Sequence, residues 1–213
     1  VVLQDQAIPR GDLVSFITTE QLIWAYKGMK PLDENITCKV DSSFQKVNDT
    51  VYTFNRSFTE QETRKSQRME ARLIVSKSNK DVPQGHCSAM VVKGESLVST
   101  LEVLIFLTKD HSCGLFYILT LRDTQEEDGN VLLTEDDFLC ELRVYDSITS
   151  SPAEKPEKGK PYVVANKQPP QECLNAYTDF CTRRGKTGDT QVYRPSCKPK
   201  PLGETPQNIS KLR

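Results

Sequence analysis

The hydrophobic residues of this chain fall into short segments, alternating or nearly continuous, with polar turns between them. Residues 22–29, 36–47, 50–58, 69–76, 87–93, 97–108, 113–121 and 138–146 are each rich in β-branched and aromatic residues, the types that fit a pleated, half-buried surface. Turn-forming clusters punctuate them, among them Val47-Asn48-Asp49, Ser78-Asn79-Lys80-Asp81, Lys93-Gly94-Glu95 and Asp128-Gly129-Asn130. Eight successive strands without intervening helices predict antiparallel, up-and-down pairing. Closed into a barrel, eight strands enclose just enough space for one small ligand. A β-sandwich is the competing architecture.

Helical spacing occurs only at the two ends of this strand array. Asp12 is placed to cap a single turn running through Phe16. Residues 147–170 are rich in Pro, Lys and Glu and read as a linker. Over 171–184, Cys173, Leu174, Tyr177, Phe180 and Cys181 recur at helical spacing, with Pro169-Pro170 before the start and Gly185 as the stop. One barrel domain over 1–197, followed by a disordered tail over 198–213, accounts for the whole chain.

The C-terminal helix has one apolar stripe and must bury it, so the outside of the barrel is its expected seat. The last strand offers a matching face. Alternation puts Phe138, Cys140, Leu142 and Val144 on one side and Leu139, Glu141, Arg143 and Tyr145 on the other. The first set is too apolar to face water and belongs under the helix. Glu141, Arg143 and Tyr145 then point into the lumen as candidate ligand-binding residues.

Charge adds little to this picture, and cysteine usage adds much. With 28 Lys and Arg against 29 Asp and Glu, nothing steers the chain towards nucleic acid or an acidic membrane surface. Its seven cysteines form no C-x-x-C pair, which argues for disulfides rather than a zinc or redox motif. Sequons at Asn35, Asn48, Asn55 and Asn208 agree with passage through the secretory pathway. The chain opens on Val1 with no signal-like segment, and no apolar run approaches the roughly 20 residues needed to span a bilayer. A secreted, mature glycoprotein is expected.

Catalytic signatures are missing, so the chain reads as a binder, not an enzyme, with no cofactor and no metal. His86 and His111 lie in or beside turns, without a nucleophile elbow elsewhere. Gly185-Lys186-Thr187 has Phe180 where a phosphate-binding loop needs its first glycine, and it follows a helix instead of opening one. His86 and Cys87, as neighbours on a strand, would point to opposite faces. Asp136-Asp137 and Glu126-Glu127-Asp128 are most simply hairpin tips.

Five short motifs, in order, resemble the salivary histamine-binding lipocalins of ticks: Ile36-Thr37-Cys38, His111-Ser112-Cys113, Cys140-Glu141-Leu142, Glu172-Cys173-Leu174-Asn175 and Pro195-Ser196-Cys197. The resemblance implies secretion in saliva and sequestration of a small host inflammatory mediator, histamine or serotonin by family habit, leukotrienes or other lipids in relatives. It implies disulfides from Cys38 to Cys197 and from Cys113 to Cys173. Glu141 matches the acidic position that pairs with the amine, but Arg143 stands where the family has Trp, and a second amine site is reduced to Gly114 and Leu104. A cation beside Glu141 would neutralise it. The 101–121 hairpin, apolar on both faces, favours a lipid mediator. Of the remaining cysteines, Cys140 under the helix and Cys181 on its stripe are the expected third pair, leaving Cys87. The alternative partner is a host complement or other immune protein engaged through loops such as Arg183-Arg184-Gly185-Lys186.

Overall fold

The strands close into a ring because each pairs with the next in sequence and the first also meets the last. The computed structural model describes residues 12–29, 36–75, 87–95, 99–121, 139–149, 168–182 and 189–198. Within them run β1 (Ile23–Met29), β2 (Ile36–Lys46), β3 (Val51–Glu60), β4 (Thr63–Val75), β5 (Cys87–Lys93), β6 (Ser99–Leu107), β7 (Cys113–Leu121) and β8 (Leu139–Tyr145). All neighbours are antiparallel, and β1 pairs with both β2 and β8. This is a closed, eight-stranded antiparallel up-and-down barrel, which removes the sandwich alternative.

A ninth strand, β9 (Asp189–Gln191), was not anticipated from the sequence. It pairs with the far half of β1, Lys27 opposite Gln191 and Met29 opposite Asp189. The near half of β1 pairs with β2 only at Ile23 with Asp41 and Trp24 with Val40. β2 leaves β1 at a bulge where Cys38 has φ 55°, a left-handed conformation unusual for a residue with a Cβ. The backbone N–H freed there donates to Val192 O at 2.9 Å.

Other departures have local causes. β4 begins at Thr63, six residues before the expected start at Met69, so the polar stretch 63–68 is strand. The turn that permits this, Gln61-Glu62, has φ 46° and 66° at its two residues, as a type I′ hairpin turn requires. Gln-Glu carries none of the usual Asn-Gly signal for it. The expected linker over 147–170 opens with a short helix, α2 (Asp146–Thr149), held where Trp24 Nε1 donates to Asp146 Oδ1 at 2.7 Å. The expected helix over 171–184 is α3 (Gln171–Tyr177) continued by a wider π-type turn over Thr178–Thr182. Residues 150–167 of the linker, the loop at Arg183-Arg184, His86, Asn35, Asn208 and the tail after Lys198 lie outside the described residues.

Two apolar clusters lie on opposite sides of the sheet. Inside, the short helix α1 (Leu13–Ile17) buries Leu13, Phe16 and Ile17 against Tyr52, Phe54 and Phe116. Five residues do not hold a helix by themselves. Packing does so here, together with Asp12, whose Oδ1 accepts from Val14 N at 3.0 Å. Outside, Cys173, Ala176 and Tyr177 of α3 cover Leu115, Leu142 and Val144, each fully buried side chain stabilising by about 1.5–3 kcal/mol. The alternation in β8 runs as read from the sequence from Cys140 onwards; Leu139, at the strand start, packs with the outer cluster instead.

Disulfides tie these layers together. Cys38 joins Cys197, Cys113 joins Cys173 and Cys140 joins Cys181, with Cα separations of 5.1, 6.5 and 6.0 Å. β5 begins at Cys87, whose side chain is outside the described set. Replacing Cys140 and Cys181 together by Ala opens a loop of 41 residues, and the loop-entropy relation puts the expected loss at about 4 kcal/mol. Urea titration of the double variant checks this; an unchanged midpoint would show that the bridge constrains nothing.

Candidate functional site

Charged side chains occur inside the barrel, at positions where strand alternation would otherwise supply apolar ones. On β3, Tyr52, Phe54 and Arg56 share the inner face; on β6, Glu102 precedes Leu104; on β8, Glu141 and Arg143 precede Tyr145. Asp41 and Lys39 arrive from β2, just past its bulge. Asp41, Arg56, Glu102, Glu141 and Arg143 are all buried, and Lys39 keeps 17% of its side-chain exposure.

These groups form one connected network. Arg56 meets Asp41 edge-on, Nε to Oδ1 at 2.7 Å and Nη2 to Oδ2 at 2.8 Å, and its Nη1 donates to Glu102 Oε1 at 3.1 Å. Arg143 Nε donates to Glu141 Oε1 at 2.6 Å, and Lys39 Nζ donates to Glu141 Oε2 at 2.7 Å. Arg143 Nη1 lies 2.6 Å from Glu102 Oε2 as an ion pair without hydrogen-bond alignment, and 3.9 Å from Asp41 Oδ2. Thr100 Oγ1 adds a bond to Glu102 Oε1 at 3.2 Å. The Arg143 guanidinium also sits over the Phe116 ring, 4.3 Å from its centre.

Removing each charge from water opposes its ionisation, so only the partners keep the layer charged. Burial pushes the Glu141 carboxyl up, but Lys39 and Arg143 outweigh it and bring it down to about 2. For Glu102 the same burial is outweighed by Arg143 and Arg56, which hold the carboxyl far below the ordinary range. Burial also opposes both guanidinium charges, yet Glu102 and Glu141 raise Arg143, and Asp41 and Glu102 raise Arg56. At Lys39 burial wins over Glu141, and the ammonium is lowered from its usual value.

Of the three inner residues of β8 singled out from the sequence, the structure brings Glu141 and Arg143 together and sets Tyr145 apart. Tyr145 stacks on Phe16 at 5.1 Å and donates its hydroxyl to Phe16 O at 2.8 Å, so it fastens α1 to the barrel. Burial raises its phenol to about 12. The 101–121 hairpin is not apolar on both faces, because Glu102 is on the inner one. Lys39, Asp41, Arg56 and Glu102 were not singled out; a charge in phase with apolar inner residues was the signal available for Arg56 and Glu102. Asn48 and Asn55 are exposed, in the β2–β3 turn and on the outside of β3. Among the described residues, no group of three or more His, Cys, Asp or Glu is arranged to hold a metal ion, and no helix is long and apolar enough to cross a membrane.

No family model and no curated protein matches the chain. Among solved structures it is similar to a deswapped triple mutant of bovine odorant-binding protein, with a TM-score of 0.42 and 10% sequence identity over 80% of this chain and 90% of that one.

Two outcomes follow from the charged layer. Glu141 and Glu102 ionise more readily folded than unfolded, so their stabilisation is complete above the unfolded value of about 4.5 and is lost progressively as the pH falls from there through the folded values, about 2 for Glu141 with Glu102 held lower still. The melting temperature, measured by calorimetry, should therefore hold from neutral pH to about 5 and drop steadily from there towards 2. A melting temperature as high at pH 3 as at pH 7 would contradict this. Arg143→Ala takes one of its two cationic partners from each of the buried carboxylates Glu102 and Glu141, leaves the layer with one excess negative charge and should cost about 3–5 kcal/mol, whereas Arg72→Ala on the outer face should stay within about 0.5 kcal/mol. Denaturant midpoints compare the two directly.

Proposed function

We propose that this chain is a secreted lipocalin that sequesters a small host inflammatory mediator inside its barrel, as the resemblance to tick salivary proteins implies, with Glu141, Arg143 and Tyr145 on the ligand side. The carrying observation is the charged layer itself: ionised groups held between apolar walls in a closed barrel, with polar atoms still unsatisfied. Such a combination, few polar groups in an apolar enclosure, is what orients a small ligand. The three disulfides are consistent with an oxidising, extracellular compartment. A lipid mediator is favoured over histamine, because both oxygens of Glu141 are already engaged, by Lys39 and Arg143. An incoming ammonium would have to displace one of them.

Native mass spectrometry of the protein purified from a eukaryotic host should reveal a retained apolar adduct. Calorimetry should give binding to lipid mediators and none to histamine or serotonin. Tight histamine binding that Glu141→Gln abolishes would reverse the ligand assignment. If no small molecule binds at all, while the protein still captures a complement or other immune protein, the barrel is a scaffold and the carrier reading is wrong.

A further inference from the structure

The two guanidinium groups of the charged layer use their edges differently. Arg56 turns the Nε and Nη2 edge to Asp41, and both carboxylate oxygens accept. Arg143 begins the same pairing with Glu141 through Nε, but the second oxygen of Glu141 is held by Lys39. Nη2 of Arg143 is left without a hydrogen-bond partner among the described residues, although Arg143 is only 3% exposed. A buried donor in that state is destabilising, and more so when it belongs to a charged group. The orphan donor belongs to the guanidinium whose Nε bonds Glu141, and Glu141 in turn holds Lys39, the network member with most access to water.

The charge balance restricts what can satisfy it. Lys39, Arg56 and Arg143 oppose Asp41, Glu102 and Glu141, so the layer sums to zero. An ammonium headgroup would bring a fourth cation and has no acceptor to offer Nη2. A carboxylate would bring a fourth anion, onto a guanidinium that already faces Glu102 and Glu141. An uncharged oxygen accepts the bond and leaves the balance intact. The rest of the ligand would meet apolar surface, since Phe116, Leu104 and Ile118 belong to the inner cluster beside Arg143.

We infer that Arg143 Nη2 anchors the uncharged acceptor oxygen, a carbonyl or hydroxyl, of an otherwise apolar ligand. The inference rests on the carrier reading above and narrows it to a neutral headgroup. Lys39 then acts as the specificity determinant, because it keeps Glu141 from closing the second bond to Arg143.

Chain-matched probes test it by calorimetry: methyl nonyl ketone, undecanoate and undecylamine. The ketone should bind the native protein at least about tenfold more tightly than either charged probe, a difference of about 1.4 kcal/mol. Lys39→Met frees Glu141 to take both donors of Arg143 and leaves the layer with one excess negative charge. In that variant the ketone should weaken about tenfold and undecylamine should become the tightest of the three. A melting curve shows that the variant is folded, and Lys39→Arg, which keeps the charge, should retain the native ranking. Tighter binding of undecanoate or undecylamine to the native protein, equal binding of all three, or an unchanged ranking in Lys39→Met would overturn the neutral-headgroup inference while leaving the carrier reading intact. If none of the three binds, both fall.

Discussion

Six ionised side chains cannot be buried one at a time. Each would cost several kcal/mol alone, and each is tolerable only once its partners are in place. Here the partners come from β2, β3, β6 and β8, and Lys39 with Glu141 bridges a separation of 102 residues. The network therefore exists only in the closed ring. It also fixes the register: a one-residue slip of β8 would send Glu141 and Arg143 outside and bring Cys140, Leu142 and Val144 in, leaving Lys39 unopposed and Glu102 with Arg56 alone. Barrel closure and charge neutralisation are one event.

The weak point of such a ring is the seam where its ends meet. β1 and β2 share only two paired positions before the bulge at Cys38 separates them. The C-terminal segment repairs the gap from outside the strand order: β9 pairs with β1, Val192 O accepts from Cys38 N, and Cys197 is bridged to Cys38. The seam lies next to Lys39, so the residues that close the barrel also position the most accessible charge of its interior. Stability and the ligand side of the lumen are coupled there.

How much of this was legible depended on whether the relevant signal was local. The barrel class, α1 and the inner and outer faces of β8 follow from alternation and capping within a few residues, and Glu141 and Arg143 could be placed inside on that basis. Lys39 and Asp41 could not be assigned a face by alternation, because the bulge at Cys38 breaks the period of two just before them. Arg56 sits inside the sequon Asn55-Arg56-Ser57, whose flanking residues face out while it faces in. Glu102 looks like an outlier in an apolar hairpin until Arg56 and Arg143 are brought to it by tertiary structure. The β3–β4 turn carries its left-handed conformations on Gln and Glu, and β9 is three residues long, too short for any periodicity.

The arrangement of α3 has a consequence for the denatured chain. Cys173 and Cys181 stand about two turns apart on one helical segment and are bonded to Cys113 on β7 and Cys140 on β8, which are adjacent strands. With these bonds intact, helix and hairpin form a covalent loop that persists when every weak interaction has been lost. Refolding of the oxidised protein thus starts with β7, β8 and their covering helix already at close quarters. The strand that carries Glu141 and Arg143 is then the template on which the other six must assemble, and the slow search is reduced to wrapping β1 to β6 around a tethered edge.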